Sequence, residues 1–523
     1  MLQGLSLIGP ELGTPGPAGF QARDPATGAA LDPVFHGASA AEVDRAVDLA
    51  RAAAPAFQAL GGRGRAALLR AMAQGLEGEA AGLVPRVMAE TALPEPRVRG
   101  ELARTCFQLR LFADVAEEGS WVQARIDPGD PDRTPLPRPD LRSLLQPLGP
   151  VAVFGASNFP LAFGVLGGDT ASALAAGCPV VVKAHPLSPG TSEWAGRVAQ
   201  AALRQLGLPE GILGLLFDPG YTVAGQLIQH PAIRAAGFTG SFRGGKALLD
   251  LAAARAEPIP VYAEMGSVNP VAVLPGALAE RGAAIAAALA AAVLNGAGQL
   301  CTCPGLLAVV PGPGYDAFRQ ALAGALAGAA AGPMLGTGLA AAYRLGLDRQ
   351  LDAGARAVFP VRDAPGGAGA PALLEVKAAR LLAAPALAEE VFGPVALLVL
   401  CADEAERRAV LSSLPGQLTA TVWMEAGDAQ LAAQLLPVLQ ARAGRVLFNG
   451  VPTGVEVGHA MVHGGPWPAT SAASSTSVGT RAILRWARPV CYQDAPDGLL
   501  PEALRRGNPL GIPRLTGGVA GLD

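Results

Sequence analysis

The residue best suited to covalent chemistry is Cys301, in the run Asn295-Gly-Ala-Gly-Gln-Leu-Cys301-Thr-Cys303-Pro304-Gly305. Glycines ahead of it and a Pro-Gly pair behind it make a tight connection that can turn a thiol toward a cleft, where its thiolate is a strong nucleophile. A cysteine taken alone is more often a small buried hydrophobe. Cys301 and Cys303 have no second Cys or His pair at ligand spacing, so no metal site is expected. Glu264, in Tyr262-Ala-Glu264-Met-Gly266-Ser-Val-Asn269-Pro270, follows an apolar run and is placed for base work. In isolation it reads as a cap or surface glutamate. Asn158, in Gly155-Ala-Ser-Asn158-Phe159-Pro160, sits at the strand end where α/β proteins bind ligands, or serves as a turn asparagine. Gly237-Phe-Thr-Gly240-Ser241-Phe-Arg-Gly-Gly245 opens a helical stretch whose first amides can hold a pyrophosphate, although G-x-G-x-x-G spacing is absent.

These residues need a frame. Short apolar runs at 151–154, 179–183, 214–217, 235–238 and 260–263 alternate with helical stretches, as buried parallel strands do. A second series at 270–274, 306–310, 395–399, 418–423 and 445–448 predicts a second α/β unit. Upstream, the capping box Ser39-Ala-Ala-Glu42 opens a helix over 39–60 with a possible kink at Pro55, and helical patterns at 65–83 and 96–115 make the first hundred residues mostly helical. The Pro- and Asp-rich stretch 127–139 reads as a loop or extended arm, and 363–371 as a surface loop.

Composition narrows the function classes. With 523 residues, half of them apolar and 16% charged, the chain exceeds one ordinary core, so two or three domains and a deep cleft are expected. The formal net charge is −3, with no basic stripe for a phosphate backbone, so no nucleic-acid partner is expected. The apolar run 284–294 falls short of the about 20 residues a bilayer span needs, and the first residues lack a secretory pattern. Six scattered cysteines give no disulfide framework. A cytoplasmic protein with no membrane partner is the expectation.

Taken together, Gly155-Ala-Ser-Asn158-Phe159-Pro160, the Lys183 strand end, Gly237-Phe-Thr-Gly-Ser241, Glu264-Met-Gly266, Gly298-Gln-Leu-Cys301 and Glu389-Glu390-Val-Phe392-Gly-Pro394 resemble the aldehyde dehydrogenase superfamily, from about residue 20 to about 495. The resemblance implies an aldehyde dehydrogenase-like α/β fold, with two Rossmann-like domains and a small β oligomerisation arm. Its expected parts are 1–125 with 147–263 for NAD(P), 264–447 for catalysis, and 126–146 with 448–523 for the arm and substrate tunnel. It further implies that Cys301 attacks an aldehyde, that the Asn158 side chain and the Cys301 amide hold the oxyanion, and that Glu264 activates water against a thioester. Lys183 would meet the adenosine ribose, Gly240 to Gly245 with Ser241 the pyrophosphate, and Glu390 with Phe392 the nicotinamide ribose. No acid follows Lys183 in Lys183-Ala-His185-Pro-Leu-Ser188, so His185 and Ser188 are candidates for a 2′-phosphate, and NADP is favoured with NAD tolerated.

The run Asn449 to Ser471 and the run Ser477-Val-Gly-Thr480 resemble the subgroup that oxidises 2,5-dioxovalerate (α-ketoglutarate semialdehyde), whose neighbours act on fatty aldehydes. A keto acid needs fixed cations or donors far from its reacting carbon. Arg104 and Gln108 are four apart on a predicted helix that lines the tunnel in that family, and Phe159, Leu166 and His463 are further tunnel candidates. The alternatives are a dehydrogenase of fatty or other aliphatic aldehydes, a CoA-acylating or thioester-hydrolysing variant, and a non-catalytic binding relative. A homodimer is expected first and a homotetramer second.

Overall fold

The computed structural model describes residues 2–16, 19–364 and 366–522. Pro365, within the expected 363–371 loop, lies outside them, as do Met1, Pro17, Ala18 and Asp523 at or near the ends of the expected parts.

Both expected series of apolar runs are strands of parallel sheets. In the first sheet Val261–Glu264, Ala235–Thr239, Val151–Phe154, Val180–Lys183 and Leu213–Leu216 lie side by side in that order, all parallel. Leu7–Ile8 and Glu11–Leu12 add an antiparallel edge. Val151–Phe154, Val180–Lys183 and Leu213–Leu216 are buried throughout, because helices cover both faces. From Val151–Phe154 the chain builds outward to Leu213–Leu216, then returns to place Ala235–Thr239 on the other side. That reversal opens a crevice beyond the carboxyl ends of the two central strands, where Asn158 and the Gly240 turn lie.

The second sheet runs Arg356–Ala357, Ala372–Lys377, Val395–Leu400, Leu306–Val309, Val271–Val273, Gln417–Trp423, Ala443–Phe448, parallel except at its first strand. The stretch Pro275–Gly298 is long and apolar enough to cross a bilayer by length and composition, a longer segment than 284–294 suggested. Half of its most apolar 18-residue window is buried, and Ile285, Leu289 and Val293 pack in the core with Leu307 and Val309 of this sheet.

The first hundred residues hold more strand than expected: Gly19–Arg23 pairs with Ala30–His36 before the first helix. The capping box forms as read, with the Ser39 hydroxyl accepting from the Glu42 amide at 3.3 Å and the Glu42 carboxylate from the Ser39 amide at 2.7 Å. The helix Ala40–Ala59 continues through Pro55. Helix Glu95–Glu118 carries Glu101, Arg104 and Gln108 against the first sheet's helices. A third sheet joins Ala487–Gln493, Leu141–Pro147, Arg125–Asp127, Arg514–Thr516 and Val519–Gly521. Its last two strands come from the tail, where periodicity gave no warning of them.

Candidate active site

Cys301 is aimed by its backbone. After helix Pro275–Leu294 ends, Gly296, Ala297 and Gly298 all take positive φ, at 58°, 53° and 68°. A Cβ on Gly298 would stand 2.2 Å from the Gly393 backbone, so only glycine lets this loop seat against the Glu390 to Pro394 segment. Asn269, itself at φ 48°, donates through Nδ2 to the carbonyls of Cys301 at 2.8 Å and Cys303 at 3.0 Å. Asn158 Nδ2 donates to the Gln299 carbonyl at 3.0 Å, which brings its amide to the same loop, and its second N–H has no partner among the described residues. The Asn158 turn is held in turn by Glu101, whose carboxylate accepts the Leu161 and Ala162 amides at 2.9 and 3.0 Å.

Glu264 and Cys301 meet at a third group, His463. His463 Nε2 lies 3.5 Å from Cys301 Sγ and 2.8 Å from Glu264 Oε1, and the three atoms fall within 4.8 Å of one another. The second Glu264 oxygen accepts the Ser477 hydroxyl, whose oxygen also lies 3.1 Å from the His463 carbonyl. Thr476 Oγ1 takes the His463 amide at 2.9 Å. This segment is pinned to the first sheet because Thr470 bridges Glu264, Met265 donates to the Ala469 carbonyl at 2.8 Å, and Ser471 bonds both ways with Ala263.

Burial pushes the Glu264 carboxyl up, but the charge and hydrogen bond of His463, with the Ser477 and Cys301 donors, outweigh it and hold the group below its ordinary value. Cys301 is driven the other way: burial first, then the Glu264 charge and hydrogen bond and the Glu390 charge, raise its thiol well above its usual range, with Arg104 opposing. The resting sulfur is therefore a thiol.

This arrangement of thiol, amide and carboxylate beside a strand-switch crevice fits the match of residues 15–466 to the aldehyde dehydrogenase family. The chain belongs to that family. An α-ketoglutaric semialdehyde dehydrogenase 2 of Azospirillum brasilense is 52% identical, with 99% of each chain covered. An α-ketoglutaric semialdehyde dehydrogenase of Acinetobacter baylyi is 45% identical, with 93% of each covered. Among solved structures, a lactaldehyde dehydrogenase superposes with TM-score 0.81 at 21% identity, over 94% of this chain and 98% of that one. The aldehyde dehydrogenase KauB of Pseudomonas aeruginosa gives 0.80 at 23%, over 94% and 97%. Both share the fold.

Aldehyde dehydrogenases use NAD(P), and the residues of this one fit such a cofactor. Lys183, at its strand's carboxyl end, is buried, and its ammonium makes no hydrogen bond or ion pair among the described residues, which leaves three donors for hydroxyls. Across the crevice Ser241 caps helix Phe242–Ala253 through the Gly244 amide at 3.2 Å, and the Gly240 amide donates to the Glu264 carbonyl at 3.0 Å. The Phe238 ring would sit 2.6 Å from a Cβ on Gly240, and Met265 Sδ 2.6 Å from one on Gly245, so both glycines let neighbours close under the turn. Glu390 and Phe392 line a cavity with Cys303, Gly298 and Ser267, on the far side of the Cys301 loop. Burial pushes the Glu390 carboxyl up to about 7, against a hydrogen bond from the Ser267 backbone. Cys303 thus faces the Glu390 cavity and Cys301 faces Glu264.

Other expected positions depart from their reading. His185 is set in a turn, its Nδ1 accepting the Leu187 amide at 3.2 Å. Burial and the Lys183 charge push it down to about 3, so it brings no positive charge to a phosphate. Ser188 is buried and opens helix Pro189–Gln205.

On the substrate side Arg104 stands over the Phe163 ring at 5.6 Å and makes no hydrogen bond or ion pair among the described residues. Burial pulls its guanidinium below the ordinary value, while the charges of Glu101, Cys301 and Glu264 work against that. Phe159 lies between Arg97, 4.4 Å above its ring, and Phe163, at 5.8 Å. Gln108 packs on Gly168 instead of facing the thiol, and Leu166 belongs to the large core with Leu109 and Phe112. His463 is a neighbour of Cys301 and Glu264, not a remote tunnel wall. Asn269, Glu101, Ser477 and Arg445 were not singled out. Arg445 bonds the Pro452 and Gly454 carbonyls and its charge is felt at Cys301. Their signal is spatial: Ser477 stands 213 residues from Glu264 in the chain.

Proposed function

We propose that this chain oxidises 2,5-dioxovalerate to 2-oxoglutarate with NADP, accepting NAD. The observation that carries the substrate is Arg104, a partly buried guanidinium beside Cys301 that pairs with no carboxylate among the described residues. A dicarbonyl acid supplies that carboxylate, and Arg binds it with two parallel hydrogen bonds. Arg445 adds a second positive charge near the sulfur. Similarity to two α-ketoglutaric semialdehyde dehydrogenases over nearly the whole chain supports the same reading.

The chemistry follows from the triangle. Cys301 gives up its thiol proton to solvent and adds as a thiolate to the aldehyde carbon, with His463 Nε2–H 3.5 Å away as a donor beside the sulfur. The carbonyl oxygen becomes an oxyanion facing the second Asn158 N–H and the Cys301 amide, donors already fixed before the charge develops. A nicotinamide cofactor, which Lys183, the Gly240 turn and Glu390 would hold, would supply the hydride acceptor, and Cys301 keeps the acyl group as a thioester. Glu264, kept ionised by His463 and Ser477, then takes a proton from water as it attacks the acyl carbon. Preference for NADP rests on the missing acid after Lys183 and not on a charged His185. We further read 1–125 with 147–263 as the nucleotide-binding part, 264–447 as the catalytic part, and 126–146 with 448–523 as the arm, which joins two chains of a cytoplasmic homodimer.

The test is selectivity. Wild-type kcat/KM should favour 2,5-dioxovalerate over hexanal, and Arg104→Ala should lower it for dioxovalerate by about 10- to 100-fold, or about 1.4–2.8 kcal/mol, with little change for hexanal. A preference for hexanal that survives Arg104→Ala overturns the dioxovalerate reading.

A further inference from the structure

We propose that Cys301, His463 and Glu264 form a binding site for one zinc-class divalent ion, and that the ion reversibly switches the enzyme off. Only the inhibition rests on the dehydrogenase reading; the binding does not.

The donor set is one that zinc and cadmium prefer: one thiolate sulfur, one imidazole nitrogen and one carboxylate oxygen, with a fourth position open for water. In a tetrahedral zinc site with ordinary bond lengths a sulfur and a nitrogen ligand stand about 3.6 Å apart, and a nitrogen and an oxygen about 3.4 Å. Here the sulfur-to-nitrogen distance is 3.5 Å and the nitrogen-to-oxygen distance 2.8 Å. The sulfur pair already fits, and the oxygen pair needs to open by about half an ångström. Glu264 Oε1 pairs with His463 Nε2 at 2.8 Å and meets no further ideal hydrogen-bond geometry among the described residues, so an ion entering between them displaces that contact. The other Glu264 oxygen and the His463 backbone are held from outside the triangle by Ser477 and Thr476, which keeps both ligands aimed inward.

Charge favours the ion. Once the Cys301 proton leaves, the Glu264 carboxylate and the thiolate would repel each other across a buried site, and a divalent cation neutralises the pair. Binding forms three metal–ligand bonds and releases the Cys301 thiol proton, with any proton on His463 Nε2, to solvent; nothing is oxidised or reduced. Donating to the ion makes the sulfur a weaker nucleophile toward an aldehyde and Glu264 a weaker base toward water. The Cys301-Thr-Cys303 spacing hid this site, because Cys303 faces the Glu390 cavity and the nitrogen comes from residue 463.

The experiment uses the full chain, freed of metal with EDTA and titrated with Cd²⁺. Equilibrium dialysis gives stoichiometry, the thiolate-to-cadmium charge-transfer absorption reports sulfur ligation, and mass spectrometry follows Cys301 alkylation by iodoacetamide. We expect about one ion per chain, a charge-transfer band, and protection of Cys301 from alkylation. Cys301→Ser should abolish the band, His463→Gln should weaken binding at least about tenfold, and Cys303→Ser should preserve both. Turnover should fall in step with occupancy and return with EDTA. A band that persists in Cys301→Ser, affinity unchanged in His463→Gln, or Cys301 alkylated equally with and without Cd²⁺ overturns the site. The alkylation arm needs only wild-type protein, so it stands even where a variant does not fold. If the ion ligates Cys301 while turnover continues, the dehydrogenase reading of Cys301 fails and the site survives.

Discussion

Two carboxyl groups flank the Cys301 loop, and their surroundings shift them in opposite directions. Glu264 shares its oxygens between His463 and Ser477, and those donors keep it ionised despite complete burial. Glu390 sits in the cavity behind the loop with a single backbone donor, so burial prevails and its carboxyl rises to about 7. The same side chain is made to hold its proton less tightly on one side and more tightly on the other, because the number of donors around it differs.

The largest way to break that contrast is Glu264→Gln. An amide cannot take a proton from water, so steady-state turnover should fall by about 10³-fold or more while the acylation half-reaction persists. His463→Gln removes the principal donor to Glu264 and a donor beside the Cys301 sulfur. It should lower kcat/KM by about 10²-fold and move the acid limb of the kcat profile to higher pH, since Glu264 then loses the partner that holds it down.

Glu390→Gln sharpens the other side. A carboxyl whose folded value lies above its ordinary 4.5 contributes stability that is whole below about 4.5 and lost as pH rises through about 7. After allowance for its partial exposure, wild-type unfolding free energy should drop by about 2 kcal/mol more than that of Glu390→Gln between pH 5 and pH 8. Equal slopes in urea titrations of the two proteins at those pH values would mean that Glu390 is not held neutral. Smallest is Ser477→Ala, which leaves His463 in place and costs Glu264 one donor. A few-fold loss of kcat and a slight upward shift of the acid limb are expected from pH–rate profiles.

The two sides also differ in how readable they were. The parallel strands were plain in the sequence because each is an apolar run bounded by turn residues, and Asn158, Lys183, Gly240 and Glu264 follow such runs directly. Arg104 was placed on a helix face by four-residue spacing, but the same spacing put Gln108 beside it, and packing on Gly168 took Gln108 away. What local pattern cannot carry is contact between distant segments. His463 was visible as an unusual residue, yet its partnership with Glu264 depends on Ala469 to Ser471 docking along the strand Val261–Glu264, a register that no periodicity encodes. The donors that fix the two carboxyls, Ser477 for Glu264 and the Ser267 backbone for Glu390, were equally hidden. The tail strands Arg514–Thr516 and Val519–Gly521 are too short and too exposed to leave an alternating signature.

The most direct test of the central claim, that Cys301 carries the acyl group and Glu264 releases it, is a single-turnover experiment on Glu264→Gln. Mixed with NADP and 2,5-dioxovalerate, the variant should form about one equivalent of NADPH per active site and then stall, and mass spectrometry of the quenched protein should find the acyl group on the peptide bearing Cys301. Continued turnover, or a burst with no acyl group on that peptide, would contradict it.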